Sequence, residues 1–270
     1  MKRDERIARF RQLHESGCFV IPNPWDMGSA KLLEQLGFPA LATTSSGFAW
    51  SRGMADNHVP LETVLEHLTS MAAAVRVPVN ADFEGGFAVE PDQVAANVKR
   101  AAETGVAGLS IEDSTGNPDQ PLFGLDLAVA RIRAARKAID ASGTGVLLVG
   151  RSEGFIAGRP DLDETIRRLQ AYAEAGAECL YAPGLRDLPS IEAVVKAVAP
   201  RPVNVLMSSD FATVAQLASL GVRRISVGGA LARAAWAGFL AAAHEIAEQG
   251  TFAQLAKATP GAVLNDAFRM

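Results

Sequence analysis

The stretch VPVNADFEGGFAVEPDQVAANVKRAAETGVAGLSIEDS, residues 77 to 114, decides the fold. It opens on a short apolar run ending at Asp82, then starts a helix at Pro91-Asp92 and keeps helical periodicity through QVAANVKRAAE. Gly105 breaks that helix, and a second apolar run follows, ending at Glu112. Pro in the first turn and Gly past the last are the expected helix punctuation, so the stretch reads strand, helix, strand. The same alternation continues in both directions. Strands are predicted near 18 to 22, 39 to 44, 77 to 82, 106 to 112, 145 to 151, 178 to 182, 202 to 207 and 223 to 227. The helices between them fall at about 28 to 36, 61 to 75, 91 to 104, 126 to 141, 161 to 175, 188 to 198, 211 to 220 and 230 to 248. Eight in-phase units predict an α/β fold of the closed (β/α)8 TIM-barrel type. An open doubly wound sheet would want a Gly-rich phosphate turn after its first strand, where this chain reads PNPWDMGSA, 22 to 30.

Residues 1 to 250 read as one barrel preceded by an N-terminal helix in MKRDERIARFRQLHESG, and residues 251 to 270 as a C-terminal helical extension. That extension exceeds what eight units require, so it caps the barrel or reaches another subunit. The amphipathic, charged start is not a signal peptide, and no apolar run reaches membrane-spanning length. A net charge of -4 with both signs interspersed gives no footprint for nucleic acid or an anionic membrane, which leaves small molecules as the expected partners. Cys18 and Cys179 fall in separate predicted strands and form neither a disulfide framework nor a zinc motif, as expected of a cytoplasmic protein.

In a (β/α)8 barrel the site lies at the C-terminal strand ends. Four neighbouring ends are polar here: TTSSG (43 to 47), ADFEGG (81 to 86), IEDS (111 to 114) and GRSEG (150 to 154). Asp82 and Glu84, two apart on an ending strand, can turn to the same side, and Glu112 ends the next strand. Converging like charges need a cation or a shared proton, and an all-oxygen set suits magnesium, with manganese as the other choice. The competing reading for any one acid is a helix N-cap or an ion pair, and Glu84 or Asp113 taken alone favours it. Arg151 ends the apolar run VLLVGR and needs an anion, either a substrate carboxylate or phosphonate, or Glu112 or Glu153. Ser45, Ser46 and Gly47 offer backbone N–H groups to a carboxylate, or form an ordinary turn. His14, His67 and His244 lie in predicted helices as packing or surface residues, and His58 lies in a solvated loop.

Taken in order, GFPALATTSSGFAWSRGMADN (37 to 57), ADFEGGF (81 to 87), GVAGLSIED (105 to 113) and GRSEGFIAG (150 to 158) resemble the isocitrate lyase and phosphoenolpyruvate mutase superfamily. The resemblance runs from Pro22 to about Leu240. It implies a barrel whose last helix is exchanged between paired subunits, a homotetramer of such pairs, and a magnesium ion that coordinates a 2-oxo acid. By position, Asp82 becomes the direct metal ligand, with Glu84, Glu112 and Asp56 acting through water. Ser46, Gly47 and Phe48 become contacts to the substrate carboxylate, Arg151 clamps the anion, and Asn204 in VNVLM is a further substrate contact or a strand amide satisfied by backbone.

The activity implied is cleavage or formation of a C–C or C–P bond beside a 2-oxo acid through an enolate-type intermediate. The lyase branch of that superfamily carries a Lys-Lys/Arg-Cys-Gly-His motif in the loop after the fourth strand. Here the loop is STGNPDQPLFG (114 to 124), without cysteine, lysine or histidine, which argues against isocitrate or methylisocitrate cleavage. Asn117 is either the mutase branch's loop asparagine or a turn residue beside Pro118, and Pro183 stands where the phosphonate branch has a histidine. The leading expectation is a lyase or decarboxylase of a small oxo-diacid. A phosphonate enzyme of the mutase or phosphonopyruvate hydrolase type, and a non-catalytic 2-oxo-acid-binding protein, are the alternatives.

Overall fold

The computed structural model describes residues 2 to 269 and has eight parallel strands with helices between them. The strands are β1 (Phe19–Ile21), β2 (Leu41–Ala42), β3 (Val79–Asp82), β4 (Gly108–Glu112), β5 (Leu147–Arg151), β6 (Cys179–Tyr181), β7 (Val203–Leu206) and β8 (Arg224–Ser226). Each pairs in parallel with its neighbour in the order β1-β8-β7-β6-β5-β4-β3-β2. The β1–β2 seam has no ladder, but the Ala42 N–H donates to Pro22 O at 3.1 Å. Asn23 completes the closure. Its Nδ2 donates to Thr43 O at 2.8 Å, and its Oδ1 accepts the N–H groups of Val227 and Gly228 at 2.9 Å each.

All eight strands stand where the sequence places them. Helices α2 (Met27–Gln35), α4 (Leu61–Ala74), α5 (Pro91–Glu103), α6 (Leu125–Ser142), α7 (Leu162–Glu174) and α8 (Leu188–Val198) match the predicted ones to within a residue or two. Expected acidic starts are real caps, as where Asp161 Oδ1 accepts the Glu164 N–H at 2.9 Å. Four details differ. The second strand is two residues rather than 39 to 44, and the helix expected over 211 to 220 shortens to α9 (Val214–Ser219). A helix the sequence did not announce, α3 (Ser45–Ser51), follows β2, because SSGFAWS is too short to display a period. Cys18 lies just before β1 rather than in it, and both cysteines are free.

Helix α1 (Arg3–Leu13) closes the N-terminal end of the barrel. Arg11 Nε donates to Gly145 O before β5, and Arg6 Nη1 to Val75 O before β3. Phe10, fully buried, enters the barrel floor, where a Cβ at Gly108 would lie 2.6 Å from Phe10 Cε1. With that end plugged, the C-terminal mouth is the open one.

Helix α10 (Ala230–Gln249) behaves differently from the others. Ala232 is its one buried residue, while Trp236, Phe239 and Leu240 are exposed. A 3-10 turn (Ala253–Lys257) and α11 (Gly261–Phe268) follow, and α11 returns to α2, where Gln35 Nε2 donates to Ala267 O at 2.6 Å. Among the described residues no helix is long and apolar enough to cross a membrane.

Candidate active site at the barrel mouth

Asp82 lies at the centre of the mouth. Its backbone N–H donates to Thr43 Oγ1 at 2.9 Å, fixing the end of β3 against the segment after β2. Its Oδ2 accepts the Ser45 N–H at 3.0 Å, and its Oδ1 accepts from Arg151 Nη1 at 3.2 Å. One carboxylate thus joins the first turn of α3 to the end of β5. A cavity of about 170 Å³ opens beside it, lined by Ser45, Ser46, Asp56, Asp82 and Arg151 at the top and by Asn80, Asn204 and Arg224 below.

Glu84 and Glu112 flank this cavity from an adjoining one of about 310 Å³. The chain bends sharply there. Glu84 takes a left-handed φ of 46°, and its carbonyl accepts the Glu112 N–H at 3.0 Å, so the two acids are brought side by side. A non-glycine residue held in this region is strained, and such strain concentrates at functional sites.

The acids repel one another. Burial, and then the charges of Asp82 and Asp56, push Glu84 up to about 8. Burial also raises Asp56, Glu112 and Glu153, against the pull of Arg151. Arg151 pairs with Glu112 at 3.1 Å, with Asp82 and with Glu153, which together outweigh its burial and hold the guanidinium charged. One arginine cannot neutralise five ionised carboxylates, so the group either keeps protons or takes a cation. Among the described residues no three His, Cys, Asp or Glu side chains form a group that could hold an ion by themselves. The donor set, all oxygen with one central acid and others a step back, fits a hard divalent cation that keeps part of its water shell.

A family match described as phosphoenolpyruvate phosphomutase covers residues 10 to 247. The chain belongs to the isocitrate lyase and phosphoenolpyruvate mutase superfamily. A crystal structure from Burkholderia cenocepacia J2315, provisionally termed a lyase/mutase, is 47% identical, with a TM-score of 0.96 over 99% of this chain and 98% of that one. An oxaloacetate decarboxylase of Pseudomonas paraeruginosa is 29% identical over 84% of this chain and 80% of its own. A phosphonopyruvate hydrolase solved with oxalate and magnesium is 26% identical, with a TM-score of 0.84 over 99% and 95%. Superfamily members are lyases and mutases acting on small oxo acids.

Among the residues that the sequence singled out, Ser45, Ser46, Asp56, Asp82, Arg151 and Asn204 line one cavity. Gly47 and Phe48 do not line it. Their N–H groups are used inside α3, by Thr44 Oγ1 at 3.4 Å and Thr44 O at 3.1 Å, because Thr44 caps that helix. Phe48 instead stacks on His67, with ring centroids 3.7 Å apart. Asn204 is satisfied by side chains rather than backbone: its Nδ2 donates to Ser226 Oγ and its Oδ1 accepts from Arg224 Nε, both at 2.9 Å. Asn117 is an exposed turn residue whose Oδ1 accepts the Asp119 N–H at 3.0 Å.

The sequence reading missed Asn23, Asn80, Tyr181, Arg224 and Ser226, all of which line the cavity. Strand alternation carries the signal for Asn80, which stands two residues before Asp82. Asp113 is the ion-paired acid that was expected. Being next to Glu112 it faces the other way, and its Oδ2 accepts from Arg168 Nη1 at 3.0 Å and from the Tyr172 hydroxyl at 2.5 Å. Its Oδ1 accepts the Glu153 N–H at 2.8 Å, so α7 anchors the residue that pairs with Arg151.

Proposed function

We propose that this chain is a magnesium-dependent lyase or decarboxylase of a small oxo-diacid. The observation that carries the reading is Asp82, held by Ser45 and Arg151 beside a small cavity and surrounded by Asp56, Glu84 and Glu112. When bound, a magnesium ion, with Asp82 as direct ligand and Asp56, Glu84 and Glu112 acting through water, supplies Lewis-acid polarisation of the 2-oxo group; manganese suits the same donors. The Ser45 and Ser46 hydroxyls, at the start of α3, hold the substrate carboxylate. Arg151 opposes the negative charge that grows on the oxo oxygen as the bond at the next carbon breaks and its electron pair moves inward. The oxaloacetate decarboxylase relative supports this reading, and the phosphonopyruvate hydrolase solved with oxalate and magnesium supports its metal but not its choice of bond.

The description of the matched family favours C–P chemistry as a second reading. Both are tested with magnesium-loaded protein and oxaloacetate, phosphonopyruvate and 2-methylisocitrate as substrates, with oxalate binding followed by calorimetry. Turnover of oxaloacetate supports the first reading, and turnover of phosphonopyruvate alone replaces it with the second. Oxalate binding without any turnover makes the chain a binder. We also propose that copies pair through α10 and assemble as a tetramer, which would cover its exposed Trp236, Phe239 and Leu240.

A further inference from the structure

Two cationic side chains line the cavity, Arg151 and Arg224, and their circumstances are opposite. Arg151 is surrounded by Asp82, Glu112 and Glu153. Arg224, only 3% exposed, pairs with no carboxylate among the described residues. Its hydrogen bonds go to neutral amides: Nε to Asn204 Oδ1 at 2.9 Å and Nη1 to Asn80 Oδ1 at 3.4 Å. Nη2 has no hydrogen-bond acceptor among the described residues.

A guanidinium taken out of water without a counter-charge costs several kcal/mol, and proteins rarely retain one without a use for it. Arg224 does not reach this position by accident of the strand. Arg223 beside it faces outward, with Nη1 on Gly17 O at 3.0 Å, so alternation turns Arg224 into the barrel. The two asparagines accept from its inner edge and fix the plane of the fork. Arginine with its donors fixed in this way is suited to a planar or tetrahedral oxyanion.

We propose that Arg224 is the specificity-determining residue of this cavity and binds a second anionic group of the ligand, at the end remote from Asp82. This rests on the oxo-acid reading above and deepens it. Asp82, Ser45 and Ser46 take the oxo-acid end, Arg224 takes the other, and a cavity of about 170 Å³ limits the ligand to a few carbons between them. The second group is a carboxylate or a phosphonate. An uncharged tail of the same length leaves the guanidinium buried and unpaired, and is rejected for that reason.

The test displaces oxalate from the magnesium-loaded protein with oxaloacetate, phosphonopyruvate or 2-oxobutyrate. Wild type is expected to prefer one of the two charged ligands over 2-oxobutyrate by about 30-fold or more, the scale set by loss of a buried charged partner. Which of the two it is identifies the group. Arg224→Met should bring that preference to within about threefold while changing oxalate affinity little, since oxalate has no remote group. Arg224→Lys, which keeps the charge, should retain part of the preference. Equal binding of charged and uncharged ligands by wild type overturns the proposal without any variant. So does an unchanged ratio in Arg224→Met, which would make Arg224 a support for Asn80 and Asn204 only. Failure of wild type to bind oxalate at all overturns the oxo-acid reading first, and this proposal with it.

Discussion

The Tyr172 hydroxyl donates to Asp113 Oδ2 at 2.5 Å, and the Arg168 guanidinium meets the same oxygen at 3.0 Å. The triad is buried between α7 and the end of β4, and through the Glu153 N–H it supports Arg151. Arg168 also donates to Phe123 O at 3.0 Å, so it ties down the end of the 114 to 124 loop. Asp113→Asn leaves Arg168 short of its buried counter-charge. We expect a loss of about 3 kcal/mol or more in urea unfolding, with faster proteolysis within 114 to 124. A loss under about 0.5 kcal/mol would show that the triad is solvated rather than buried.

Asp82→Asn should behave in the opposite way. It removes one charge from a crowded group of acids, so the melting temperature is expected to hold or rise. Magnesium-dependent oxalate binding should fall by about 100-fold or more, as expected for loss of a charged metal ligand. Calorimetry with and without magnesium measures it, and unchanged affinity would remove Asp82 from the metal.

Two histidines, His14 buried and His67 half-buried, make stability depend on pH. Burial, with Arg224 nearby, lowers His14 to about 3, and burial lowers His67 to about 4. Both are neutral in the fold and protonate more readily unfolded, near 6.5. Their contribution is complete above that value and is lost as pH falls toward 4 and then 3. The slope is about 1.4 kcal/mol per pH unit for each histidine. The raised acids Glu84, Glu112 and Glu153 act with the opposite sign, so the difference between wild type and His14→Gln is the quantity to measure between pH 4 and 6. Parallel stability curves for the two proteins would refute the assignment.

Phe10→Ala removes the ring that fills the barrel floor beneath Gly108. Truncations of this kind cost about 3–5 kcal/mol. Because α1 lies at the end opposite the mouth, oxalate affinity should change less than about threefold in the folded variant, a difference of about 0.6 kcal/mol. A large change in affinity would mean that the plug and the site are coupled.

Phe239→Asp places a charge on the most exposed part of the apolar face of α10, where Phe239 is 60% exposed. If copies of the chain pair through this helix, sedimentation should show the assembly shift to smaller species at micromolar concentration. An unchanged sedimentation coefficient would place the interface elsewhere.

The sequence by itself determined the barrel, because eight short apolar runs are each followed by a stretch of helical periodicity, and each such alternation is a local property of consecutive residues. It also determined the mouth acids, since Asp82 and Glu112 stand at the C-terminal ends of their strands, and position along a strand is enough to send them there. The tertiary structure decided which residues face the same space. Gly47 and Phe48 were taken away from the cavity by a Thr44 cap that forms only once α3 exists, and Glu112 and Asp113, adjacent in sequence, were sent to opposite sides of β4. Arg224 is the clearest case. In the chain it is the second of two arginines in GVRRISV, and nothing local says that its partners, Asn80 and Asn204, lie 144 and 20 residues away. Only closure of the sheet, which sets β8 beside β7 and turns β3 toward the same interior, brings a lone guanidinium and two amides together beneath Asp82.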